Sequence, residues 1–140
     1  MKHIFLDTNV LIDFLADRKP FAMEAAKLLN FSYKKRINIF ISAVSYNNIY
    51  YILRQSNSHV ATLKMLSELN EWTDILDVSK EVINKAIKSD FKDFEDAIQY
   101  YCAKSLNKMD FIVTRDVKDF KLSSLPVLTP KEAVTLIENS

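Results

Sequence analysis

The sequence predicts an α/β fold with a mainly parallel sheet covered by helices on both faces, and two observations carry that expectation. Short, β-rich apolar segments alternate with helical segments along the whole chain. The first three of these segments each run directly into a polar residue suited to starting a helix. No linker or internal repeat interrupts the pattern, so residues 1–140 read as a single domain, long enough for a core without disulfide or metal staples.

The first strand, His3 to Leu6, ends abruptly in Asp7-Thr8-Asn9, and helical periodicity begins with Val10, Leu11, Phe14 and Leu15. Pro20, favoured at a first helical position, and the helix formers from Ala22 to Leu29 predict a helix over 20–35, with the basic run Lys34-Lys35-Arg36 at its C-terminus. Ile37 to Ile41 is the second strand, and Ser42 caps a helix to about Arg54. Ser58 caps the next helix, carrying Val60, Leu63, Leu66 and Leu69, before a third strand over Asp74 to Val78. Ser79 caps a helix with Val82, Ile83, Ala86 and Ile87 on one face. Acids crowd the first turn of the following helix, Asp93-Phe94-Glu95-Asp96, which runs to about Leu106. Phe111 to Thr114 is the fourth strand and ends in Arg115-Asp116; Pro126 to Leu128 is a short fifth. Thr129-Pro130-Lys131-Glu132 is a capping box that opens the last helix.

Composition removes several kinds of chemistry. The chain has no Gly at all, where average usage of about 7% would give roughly ten. A phosphate-binding Walker loop, a dinucleotide fingerprint and a nucleophile elbow all need glycine, so none of them can be built. Residues forced to positive φ must be Asn or Asp, with Asn30, Asn57, Asn70 and Asn107 as candidates. A net charge of +1 makes any nucleic-acid contact local rather than global. A lone Cys102, no legible signal peptide and no long apolar run imply a cytoplasmic protein with no membrane segment.

What remains is a set of acids at strand ends and helix starts. In an open α/β sheet, ligands bind beyond the carboxyl ends of the strands, where Asp7 and Asp116 fall. Asp96 lies in a helix first turn, where the dipole favours a carboxylate. Singly, each acid is explained as well by capping, and Asp93 reads as the N-cap of its helix. Gathered in one cleft they repel each other unless a cation neutralises them, and an all-oxygen set selects Mg²⁺ or Mn²⁺.

Those residues are also where the chain resembles a known family. Phe5 to Leu11, Ile41-Ser42-Ala43, Asp93 to Ala97, Ile112 to Asp116 with Asp119-Phe120, and Leu128-Thr129-Pro130 are similar, in order and spacing, to the PIN-domain family of metal-dependent nucleases. The resemblance runs nearly end to end. It implies a five-stranded sheet in the order 3-2-1-4-5 and hydrolysis of RNA phosphodiesters at a Mg²⁺ or Mn²⁺ site. It also implies kinship with VapC-type toxins that an antitoxin restrains, and a homodimer. Asp7, Asp96 and Asp116 match the metal-site acids, with Asp119 able to assist. Asn9 and Thr114 match supporting positions, and Asp93 supports the site as the cap of its helix. The family's usual Glu in the helix after the second strand is replaced by Asn48, which keeps a carbonyl ligand and loses the charge.

That departure keeps a second function open: a catalytically weakened or silent PIN module that binds protein or RNA. A phosphatase using Asp7 as nucleophile ranks below both, because Asn9 stands where a second Asp is expected. His3 and His59 lack partners at metal-ligand spacing and receive no role. Tyr46, Tyr50 and Tyr51 suit base stacking or a protein interface, and core packing accounts for them equally well. Arg18, Lys19, Arg54 and Arg115 are candidates for phosphate contact.

Overall fold

The computed structural model describes residues 1–140, and its strands and helices alternate as the polar punctuation predicts. In chain order the elements are β1 (Lys2–Leu6), α1 (Thr8–Leu15), α2 (Ala22–Tyr33), β2 (Ile37–Ser42), α3 (Ala43–Leu53) and α4 (His59–Trp72). Then come β3 (Asp74–Leu76), α5 (Lys80–Ile87), α6 (Phe94–Lys104), β4 (Phe111–Val113), β5 (Val127–Leu128) and α7 (Pro130–Glu138). A 3-10 turn, Val117–Phe120, follows β4. The five strands pair in parallel in the order β3-β2-β1-β4-β5, the order that the resemblance implies.

Side-chain alternation along the strands makes this a three-layer molecule. Ile4, Leu6, Ile37, Ile39, Ile41, Phe111 and Val113 face one core, shared with α1, α2, α3, α4 and α7. Phe5 and Ile112 point the other way, onto α5 and α6 through Val82, Ala86, Ala97, Ile98 and Cys102. Because β1 is the central strand, with β2 on one side and β4 on the other, its end and that of β4 are neighbours.

The caps largely form where the sequence places them. Ser42, Ser58, Ser79 and Asp93 each accept a backbone N–H at the start of α3, α4, α5 and α6. Thr129 and Glu132 complete the reciprocal box on α7. Two expectations need correction. Pro20 lies in the turn before α2, which starts at Ala22, because the backbone after α1 is still reversing direction there. Positive φ falls at Asp17 (51°), one of the two residue types expected, and at Lys35 (61°), which is neither, and at none of the four Asn candidates. Both sit just past a helix, where a left-handed residue ends the run; Lys35 takes that conformation without the side-chain hydrogen bonding that normally favours Asn.

Candidate active site

The site starts from the end of the central strand. Asp7 continues the β1 ladder, its N–H donating to the Val113 carbonyl at 3.0 Å, and its carboxylate is gripped at both oxygens. Thr8 N–H donates to one oxygen and the Thr114 hydroxyl to the other, each at 2.8 Å. Thr114, fully buried at the end of β4, is the hub. Its oxygen also accepts from the Asn9 amide at 3.4 Å and from the Asp116 N–H at 3.1 Å. Asn9 spans the gap by donating in addition to the Asp116 carboxylate at 3.1 Å. Asp7 and Asp116, expected on neighbouring strand ends, are thus linked through the side chains of Asn9 and Thr114.

The other acids arrive on α6. Asp93 caps that helix by accepting from the Asp96 N–H at 3.0 Å, the role the sequence assigns it. Asp96 and the exposed Glu95 follow in the first turn. Glu95 accepts a hydrogen bond from Asn48 of α3 at 2.8 Å. Asn48 thus engages a neighbouring carboxylate through its amide nitrogen, while its carbonyl oxygen, the ligand atom anticipated from sequence, takes no part in that bond. The signal for Glu95 was present in the sequence, but an acid there is equally explained by the helix dipole.

Electrostatics link these groups. Burial raises the Asp7 carboxyl to about 6, against the bonds from Thr114 and Thr8 that favour its charged form; the charges of Glu95 and Asp116 add to the rise. Asp96 is pushed up to about 7, first by burial and then by the charges of Asp7, Asp93, Asp119 and Glu95. Asp116 acts on Asp7, while Asp119, on the 3-10 turn, acts on Asp96. Asp96 and Asp119 line a cleft of about 310 Å³ together with Lys92, Lys118 and Lys121.

The donor set suits a hard divalent cation that keeps much of its water. No three Asp, Glu, His or Cys side chains are gathered tightly enough to form a coordination shell by themselves. The molecule's three ion pairs leave Asp7, Glu95, Asp96, Asp116 and Asp119 without a basic partner. The Asn9 side-chain oxygen is buried without a hydrogen bond. Two acids whose proton affinity is raised, Asp7 and Asp96, and an unengaged neutral oxygen on Asn9 are oxygen donors of the kind a hard divalent cation takes.

Beneath this surface lies a buried polar triangle. The Thr8 and Ser45 hydroxyls are 2.7 Å apart, and the Gln99 amide donates to each at 3.0 Å. It ties α1, α3 and α6 together through residues next to Asp7 and one helical turn from Asn48 and Glu95. Among the basic candidates, Arg115 is committed elsewhere, to Asp13, and Arg54 donates to the Asn57 carbonyl at 2.7 Å. The lysines that do flank the acids, Lys92, Lys118 and Lys121, are ordinary surface residues in the sequence. His3 contacts the Asn38 amide, and His59 the Tyr50 hydroxyl, neither of them at the site. Tyr46 packs against the larger core, whereas Tyr51 is exposed.

A parallel sheet covered on both faces, with acids at the ends of its central strands, is the frame of the PIN domain family, and the chain belongs to that family, whose model matches residues 3–118. It is 28% identical over 137 residues to Ribonuclease VapC1 of Aquifex aeolicus, the match covering 92% of this chain and 91% of that one. Solved structures share the fold at lower identity. VapBC2 from Rickettsia felis, bound to a DNA fragment from its promoter, matches with a TM-score of 0.68 and 17% identity, over 91% of this chain and 98% of that one. A toxin-antitoxin complex from Klebsiella pneumoniae matches with a TM-score of 0.65 and 23% identity, over 91% and 97%.

Proposed function

We propose that this chain, acting as one domain over residues 1–140, is an endoribonuclease dependent on Mg²⁺ or Mn²⁺ and the toxin component of a toxin-antitoxin pair. The observation that carries the reading is the strand-end Asp7, tied to Asp116 through Asn9 and Thr114 and sharing its electrostatic field with Asp96, none of the three being ion-paired to a basic side chain. The likeness to a protein named as a ribonuclease supports RNA as the substrate, and the likeness to a toxin-antitoxin complex supports an antitoxin partner.

In this reading Asp7, Asp96 and Asp116 hold the cation, with Asp119 assisting from the Asp96 side. When bound, the cation supplies Lewis-acid polarisation of phosphate and lowers the pKa of water. Asp7 has a fixed aim because both of its oxygens are already held. Asn9 and Thr114 keep Asp116 in register with it. Lys92, Lys118 and Lys121 draw the RNA backbone toward the acids.

Asp7→Asn tests the assignment. It is expected to abolish Mn²⁺ binding, measured by calorimetry, and Mn²⁺-dependent cleavage of RNA. Unchanged binding and cleavage would falsify the site. A folded wild-type protein that binds RNA or a partner without cleaving would favour the silent-module reading, which the uncharged Asn48 keeps in play.

A further inference from the structure

We infer that Glu95 is a working carboxylate of the site, delivered from α6, and that Asn48 on α3 is the residue that positions it. This rests on the proposed metal-dependent function and deepens it.

The geometry begins with the contact across the mouth of the site. An exposed Glu in a helix first turn normally points into water and needs no partner. Here an amide 47 residues away donates to Glu95 Oε1 at 2.8 Å. Asn48 is suited to that task because an amide nitrogen is a neutral donor, so it fixes the carboxylate's direction without cancelling its charge. A Glu at the same position would set two like charges together, and a Lys would consume the charge that the site needs.

The contact is not left to surface chance. One turn away along each helix, Gln99 on the Glu95 face of α6 and Ser45 on the Asn48 face of α3 are both fully buried and bonded at 3.0 Å. Gln99 reaches Thr8, next to Asp7, at the same distance. The elements that carry Asp7, Asn48 and Glu95 are thus locked to one another from beneath. Glu95 also stands near enough for its charge to act on both Asp7 and Asp96. The fourth acid comes from the helix that already supplies Asp96, and α3 contributes the holder in place of a carboxylate.

Mn²⁺ calorimetry on the full-length protein separates this inference from the reading beneath it. Glu95→Gln is expected to weaken binding at least about tenfold, and Asn48→Ala by a smaller factor of the same order as loss of an outer-shell partner. Thermal unfolding in EDTA is expected to be unchanged in both, which shows that the fold survives. The double variant Glu95→Gln with Asn48→Glu, moving the carboxylate across to α3, is expected to recover most of the affinity; a merely structural role for Glu95 predicts no recovery. Glu95→Gln binding Mn²⁺ like the unmodified protein, while Asp7→Asn does not bind, would overturn the inference and leave the proposed function standing. No Mn²⁺ uptake by the unmodified protein would remove both.

Discussion

The Thr114 hydroxyl donates to the Asp7 carboxylate at 2.8 Å, joining the ends of β4 and β1 across 107 residues of chain. The same oxygen accepts from Asn9 and from the Asp116 N–H, so one buried side chain serves three neighbours. Thr114→Val preserves shape and removes all three contacts. Leaving these buried groups unpaired is expected to cost about 1–3 kcal/mol in urea unfolding. Mn²⁺ affinity should fall as well, and Thr114→Ser, which keeps the oxygen, should retain most of both. A Val variant as stable as the parent would show that Thr114 is not the hub.

A second linkage holds the residue next to Asp116. Arg115 Nε lies 2.6 Å and Nη2 3.2 Å from the two carboxylate oxygens of Asp13, and the guanidinium stacks 4.1 Å from the Phe21 ring centroid. Asp13 is almost fully buried while the Arg115 side chain is 27% exposed. Arg115→Ala strands a buried charge and is expected to cost about 3 kcal/mol, the lower end for a broken buried pair. Arg115→Lys cannot form two parallel bonds and stack at once, so it should restore only a minor part. Chemical denaturation of the two variants checks this, and full rescue by Lys would contradict it.

The acids also set a pH dependence. The folded-state values of Asp7 and Asp96, about 6 and about 7, lie above the unfolded value of 3.8. Between those limits the folded chain holds protons that the unfolded chain has released. Their stabilisation is complete below the unfolded value and is lost as pH rises through the folded ones. In EDTA the thermal midpoint should therefore fall between about pH 4 and about pH 7, and fall less in Asp7→Asn and Asp96→Asn. Mn²⁺ affinity should rise over the same range because the cation competes with those protons. Parallel pH profiles in parent and variants would contradict the assignment.

The three lysines give a salt signature. In an Asp7→Asn background, single-stranded RNA binding is expected to weaken with salt, and Lys118→Ala or Lys121→Ala should each reduce the log–log slope by about 0.7. Fluorescence anisotropy across a salt series measures it. Slopes identical to the parent would place the RNA path elsewhere.

Much of the fold was legible because its determinants are local. Ser42, Ser79, Asp93 and Thr129 announce their helices within a few residues, and strand polarity follows from alternating strands and helices. Asp7, Asp116 and Asp96 were legible for the same reason, as acids at strand ends and a helix start. What escaped depends on partners far apart in sequence. Asn48 meets Glu95 47 residues on, Arg115 meets Asp13 102 residues back, and Gln99 meets Thr8 across 91. Pairings at such separations leave no period or cap in the sequence. Lys35 escaped differently, as a residue held at positive φ against its own preference by the helix ending there.

The union of β1 with β4 also has a meaning for synthesis. Asp7 leaves the ribosome early, yet the hydroxyl that aims it and the carboxylate beside it belong to residues made more than a hundred codons later. A nascent chain therefore carries a lone strand-end acid and no assembled centre until β4 has docked. Joining these strand-end groups waits until nearly all of the PIN-matching segment has been translated.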